Sequence, residues 1–419
     1  MNKRFKVVVI VGILVGLFAF VAFASQTFTI YEWWTGGTKP AITAVLNMYK
    51  QQYPNITVVE NPVAGSAGLN LQAVIKSLIL GGVPPTTFQV LGGGSLYGYA
   101  SANLLQPVTN FWKTEGLTNL VPEKVQQLCS YNGQFYGVPM DIVRANLLWY
   151  NKAIFDKLGI TVPTTLQDFL NLLPKIQAAG YIPLALGDNG EFGPGMLFEQ
   201  TLLSCFGANK YNEYLEGKIN ASDPDFQQAV LDFRTELKYV NPDHGALTWQ
   251  EAAALLVEGK AAMMVIGDFS MPIFTQLGWT PDVNYGGVAF PGTEGIYNVI
   301  VDTFVLPVGV SDTAPAYDWF KLITSIPVQE KFNEMKVSVP IRTDVSTSTF
   351  KNPIQIHNME AFKVDKFVGS ITNGGAPTQA FETDWMNAVE TVEYHPDMSM
   401  QSIINLFNAV SQEDIPINQ

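Results

Sequence analysis

Thr27-Phe28-Thr29-Ile30-Tyr31-Glu32-Trp33-Trp34-Thr35-Gly36-Gly37 is the stretch on which the fold turns. Its alternating, β-branched and aromatic opening, Thr27 to Tyr31, predicts a strand. Two adjacent indoles close that strand and a glycine pair follows. Thr38 and Pro40 then signal a helix start. An indole at the carboxyl end of a strand, beside flexible backbone, is placed to cover the apolar face of a ligand ring. Strand alternation sends neighbours to opposite sides, so the competing reading makes one indole core.

Outward from this stretch, the chain alternates short strands with amphipathic helices. Ile42, Val45, Leu46 and Tyr49 recur at helical spacing. Ile56–Val59 reads as a strand, Leu71–Leu80 as a helix ending at Gly81-Gly82, and Thr87–Leu91 as a buried strand entering Gly92-Gly93-Gly94. Thr165 with Asp168, and Thr248 with Glu251, carry the capping-box spacing. Ala261–Ile266 is a strand running into Gly267-Asp268-Phe269, and Asp384–Ala409 reads as mostly helical. This alternation predicts α/β layers. Polar and aromatic residues gather where strands end: Trp33-Trp34, Gln89, Asp141, Gly187-Asp188, Asp268-Phe269 and Asp302. Ligands of open α/β sheets collect at that end, although loops begin there too.

Before the opening strand stands an export leader. Lys3, Arg4 and Lys6 precede the apolar run Val7–Phe23, and Ala22-Phe23-Ala24 is a small-x-small cleavage site, so residues 1–24 are expected to be a signal peptide. A retained anchor is the alternative. Without the leader, 21 Lys plus Arg face 37 Asp plus Glu, a net charge of −16. Such a balance disfavours nucleic acid. Roughly 395 mature residues exceed one ordinary core and predict two domains. Cys129 and Cys205 read as free thiols, though an exported protein permits their pairing. The three histidines show no zinc spacing, and no metal or cofactor is expected. The triple glycine lacks the P-loop ending, GxSxG is absent, and Asp223-Pro224-Asp225 reads as a helix start rather than a calcium loop. Asp141, Asp188, Asp268 and Asp302 include enough carboxylates for a glycosidase pair. An exported glycoside hydrolase or sugar-modifying enzyme therefore stays open, as does a receptor for a peptide, polyamine or oxyanion.

Several stretches together resemble the carbohydrate-binding proteins of bacterial and archaeal ABC importers, the group of maltose-binding protein, and within it the glucose/galactose-binding branch of thermophiles. They are Tyr31–Trp34, Gly81–Val90 (GGVPPTTFQV), Tyr131–Pro139 (YNGQFYGVP), Leu148–Asn151, Pro163–Thr165, Leu247–Gln250 and Gly259–Met263 running to Phe269. The resemblance covers essentially the whole mature chain. It implies a two-lobe periplasmic-binding-protein fold (type II-like) with an inter-lobe hinge and ligand cleft. Residues 25–139 and 300–345 would form the amino-terminal lobe, and 140–299 and 346–419 the carboxyl-terminal lobe. It implies a non-enzymatic receptor that passes a carbohydrate to ABC permease transmembrane subunits by hinge closure, as a monomer outside the cytoplasm. By position, Trp33, Trp34 and Gln89 would line the cleft from the first lobe and Trp249, Asp268 and Phe269 from the second. Asp302 would come from the crossover, Asp141 from just after the hinge, and Asn373 from the rim. Leu91 and Asn373 stand where the branch has histidines, and Phe269 where it has tryptophan. That puts glucose itself in doubt and leaves another monosaccharide, a polyol or a short oligosaccharide.

Overall fold

A computed structural model describes residues 26–65, 68–189 and 192–414; the expected leader lies outside them. Twelve strands occur in chain order among these residues. They are β1 (Gln26–Glu32), β2 (Ile56–Pro62), β3 (Thr87–Leu91), β4 (Ser130–Tyr131), β5 (Gln134–Phe135), β6 (Gly137–Arg144), β7 (Leu147–Asn151), β8 (Ile182–Ala185), β9 (Ala261–Val265), β10 (Tyr285–Ala289), β11 (Ile296–Val305) and β12 (Lys366–Gly369). One sheet runs β12-β11-β3-β1-β2, with β6 also pairing β11, and a second runs β10-β7-β9-β8. β4 and β5 form a small hairpin.

The two longest strands, β6 and β11, are buried along their whole lengths and pair antiparallel. On its other edge β11 pairs β3 through residues 302–305 and β12 through residues 296–299. β6 leads directly to β7 of the second sheet, so this ribbon joins the two halves of the molecule. A bulge interrupts its register between Asp302 and Thr303. Bulges re-aim side chains at such places.

Each half has its own apolar interior. Around the first sheet, Phe28, Tyr49, Trp112, Trp319 and Phe332 pack together. Around the second, Phe169, Phe198, Phe226, Trp385 and Phe407 do so. Met359 and Phe362 join the first interior, while Ile354 of the same helix, Pro353–Val364, belongs to a cluster with Trp149 and Met264 on the second side. That helix bridges the halves.

Local chemistry sets the elements as the sequence indicates. Thr248 and Glu251 exchange side-chain hydrogen bonds with each other's backbone N–H at the start of Trp249–Val257. The Thr165 hydroxyl accepts from the Asp168 N–H, and Asp223 caps Pro224–Glu236. Thr38 departs from expectation. It stands ahead of Lys39–Gln52, but its hydroxyl donates back to the Thr35 carbonyl and no side-chain cap forms. Its own backbone is already helical (φ −89°, ψ −16°), which turns the hydroxyl away from the first-turn N–H groups. The Gly92–Gly94 loop serves a close backbone approach: Gly93 has φ 95°, and a Cβ there would stand 2.3 Å from the Gly374 oxygen. Both cysteines are free. Among the described residues no helix is long and apolar enough to cross a membrane.

Candidate ligand cleft

At the end of β1 the alternation sorts the two indoles. Phe28, Ile30, Glu32 and Trp34 are buried, and Tyr31 and Trp33 are half-buried. Trp34 is 3% exposed and packs against Phe332 (4.9 Å between ring centres) and Phe304 (5.8 Å). Trp33 instead stands where three apolar clusters meet and faces open space. The turn that separates them is held from both sides. Glu32 accepts the Trp34 N–H (2.6 Å), and Gln89 accepts the Trp33 N–H (3.1 Å). Burial pushes the Glu32 carboxyl up to about 7, against the pull of Lys39.

Trp33 and Trp34 line one cavity of about 140 Å³ together with Trp249, Phe269, Asp302 and Asn373. Six of the nine residues singled out from the sequence thus meet at one place. Trp249 and Phe269 meet edge to face (5.5 Å, 80°), and Phe192 meets Phe269 likewise (6.0 Å, 76°). Trp33 comes from the first-sheet side, so the aromatic wall is built from both halves. Across the same opening Gly37 lies against Ile273, and a Cβ at Gly37 would be 2.9 Å from the Ile273 Cδ1.

The other three, Gln89, Asp141 and Asp268, do not line the cavity; they are buried behind it. Gln89 donates from Nε2 to Asp302 Oδ1 (2.8 Å). Asp302 Oδ2 accepts from Lys336 Nζ (2.6 Å), which also donates to Asp141 Oδ2 (2.5 Å). A continuous chain of hydrogen bonds therefore runs from the Trp33 backbone through Gln89, Asp302 and Lys336 to Asp141. The register explains it. Asp141 and Asp302 are direct partners on β6 and β11, and like charges so placed repel unless a cation lies between them. Lys336 supplies that cation from the last turn of Ile326–Lys336. Its ammonium also lies 5.1 Å from the Trp34 ring centre. Burial pulls the Lys336 pKa down, but the two carboxylates outweigh it and hold the ammonium above the ordinary lysine range. Burial pushes Asp141 up to about 7, with Lys336 opposing and Asp302 adding to the rise.

Asp268 accepts from the Arg144 N–H (3.1 Å) and Asn358 Nδ2 (3.3 Å), tying the Phe269 loop to β6 and to the bridging helix. Burial pushes its carboxyl up to about 8. Asn373 is positioned by Glu199, a fully buried carboxylate that accepts from the Ile371 and Thr372 N–H groups, Ser370 Oγ, Thr372 Oγ1, Asn298 Nδ2 and Tyr211 Oη. Asn373 Nδ2 in turn donates to Thr372 Oγ1 (2.9 Å).

Lys336, Phe192, Thr35, Thr38 and Gln250 also line the cavity and were not singled out from the sequence. Thr35 and Thr38 flank the glycine pair and Gln250 follows Trp249, so proximity was an available signal for these. Lys336 gave none: a lysine in a last helical turn reads as a dipole partner in solvent.

The arrangement is a crevice with aromatic faces and a small polar rim. Residues 34–330 match the family described as bacterial extracellular solute-binding protein. An uncharacterized ABC transporter extracellular-binding protein of Pyrococcus horikoshii is 36% identical over 397 residues, 93% of this chain and 89% of that one. A probable sugar-binding periplasmic protein of Mesorhizobium japonicum is 34% identical over 342 residues, 80% of each. Among solved structures, a chitin oligosaccharide binding protein superposes with a TM-score of 0.81 at 20% identity, covering 93% of this chain and 98% of that one; it bears on the fold alone. This family consists of binding proteins of ABC transporters, not enzymes. The chain belongs to the bacterial extracellular solute-binding protein family, with that family's two-lobe α/β architecture.

Proposed function

We propose that this protein is the receptor of an ABC importer for a monosaccharide, exported with cleavage near Ala24 and acting as a monomer. The cavity carries the reading. The cavity of about 140 Å³ brings ring faces and polar groups within reach of one small ligand. Trp33, Trp249 and Phe269 offer ring faces for the C–H surfaces of a pyranose. Asp302, Lys336 and Asn373 offer acceptors and donors for its hydroxyls. Two of the three Lys336 protons are taken by Asp141 and Asp302, which leaves one for the ligand. Each Asp302 oxygen carries one donor and retains a lone pair for a hydroxyl. Gln89 and Asp141 act by fixing Asp302 and Lys336, and Asp268 by fixing the Phe269 loop.

β6 and β11 serve as the hinge, and sugar drives closure to the extent that it binds the closed form more tightly. The closed lobes are the surface presented to the permease. Calorimetry of the mature protein with a panel of hexoses, pentoses, polyols and short oligosaccharides tests this. At least one monosaccharide should bind and be recovered chemically unchanged. Trp33→Ala should weaken it at least tenfold with little change in Tm. Binding of oligosaccharides alone overturns the monosaccharide reading. A parallel loss of affinity and Tm in Trp33→Ala makes Trp33 a core residue instead.

A further inference from the structure

Asp188, His244 and Glu393 converge from three distant segments. Asp188 lies in the loop after β8, His244 in the short turn His244–Ala246, and Glu393 near the end of the helix Gln379–Tyr394. One ligand-type atom of each lies within 4.8 Å of the other two. The Glu393 side chain is only 3% exposed, and among the described residues neither of its carboxylate oxygens has a hydrogen-bond partner. His244 Nδ1 has none either, although it stands 3.2 Å from Glu393 Oε1. Asp188 is already oriented: its Oδ2 accepts from Tyr394 Oη (2.8 Å). A buried carboxylate with both oxygens unsatisfied is costly unless something positive or protic joins it.

We infer that Asp188, His244 and Glu393 form a binding site for a first-row divalent transition-metal cation, of which Zn²⁺ is the representative. One imidazole nitrogen with two carboxylates is a donor set suited to zinc, whereas calcium prefers six to eight oxygens. Three protein ligands leave a fourth position for water. The Tyr394 hydrogen bond to Asp188 supplies the outer-shell orientation such sites use.

The cation fastens the segment that carries a cleft residue. Asp188 N–H donates to the His244 oxygen (2.9 Å) and Asn189 N–H to the Leu247 oxygen (2.9 Å). Gly187 lies flat against the Thr248–Trp249 backbone. Joining Asp188, His244 and Glu393 therefore anchors the loop leading into Trp249 to the second-lobe helix Gln379–Tyr394.

The test uses the mature protein freed of metal with a chelator and titrated with ZnCl₂. One equivalent should bind, with a dissociation constant in the micromolar range or below, and Tm should rise with zinc concentration. His244→Ala and, separately, Glu393→Gln should each weaken binding at least tenfold and remove the zinc-dependent rise in Tm. Far-UV circular dichroism of the metal-free variants confirms that they fold. Should one of them not fold, Asp188→Asn takes its place in the comparison. Absence of saturable binding overturns the proposal. Binding that survives in both variants overturns it as well. Neither result depends on whether any sugar binds.

Discussion

Lys336 shows how one side chain can set the polarity of a cleft. It enters between two carboxylates that the strand register forces to face each other, and it keeps one donor for the cavity. Removing one partner of a buried ion pair strands the other charges, at a typical cost of about 3–5 kcal/mol. Lys336→Met is therefore expected to lower unfolding stability by that order in denaturant titration. Adding Asp141→Asn and Asp302→Asn should restore a substantial part. A triple variant no more stable than the single one would show that Lys336 acts by packing on Trp34 and Phe332. The residue was invisible from sequence because its neighbours lie 34 and 195 positions away. Trp33 and Trp34 were legible at once, but only the alternation made real by β1 decided which of them is interior.

At the scale of elements, the short turn Gly36–Thr38 meets the helix Met271–Gln276 across the mouth of the cleft. Gly37 allows this contact because Ile273 and Pro272 occupy the space a side chain needs. Gly37→Val is expected to hold the two sides apart, weakening ligand at least tenfold while the Tm of the unliganded protein stays within about 2 °C. Unchanged affinity would mean that the mouth is not shut at this point. Helix starts were the most legible elements. The Thr248–Glu251 box, the Thr165 cap and the Asp223 cap all lie within three residues of their partners. Thr38 was misread because its hydroxyl found a carbonyl behind it instead of an N–H ahead.

Across the whole molecule, several buried carboxyls share one sign of perturbation. Burial raises Glu32 to about 7, and Asp268 and Glu382 to about 8. A carboxyl whose pKa is raised on folding binds more protons in the native state than in the unfolded chain between its two pKa values. Its contribution to stability is then fully present below the unfolded value, near 4, and is lost as pH rises through 7–8. The metal-free protein is expected to melt at a higher temperature at pH 5 than at pH 8. Asp268→Asn should flatten that decline. A Tm that rises across this interval would contradict the assignment of these groups as buried and protonated.

Periodicity, caps and turn glycines act over a few residues, so the sequence by itself determined the α/β class, the helix starts and the aromatic strand end. The motif string, read as a resemblance, extended this to two lobes around a cleft. Which polar groups face that cleft was decided only by the tertiary structure. Gln89 meets Asp302 across 213 positions, and Asp188, His244 and Glu393 come together from three segments. Burial, register and charge compensation arise only when such distant stretches pack, and no local pattern in the chain encodes which member of a pair ends at the surface of the cavity and which behind it.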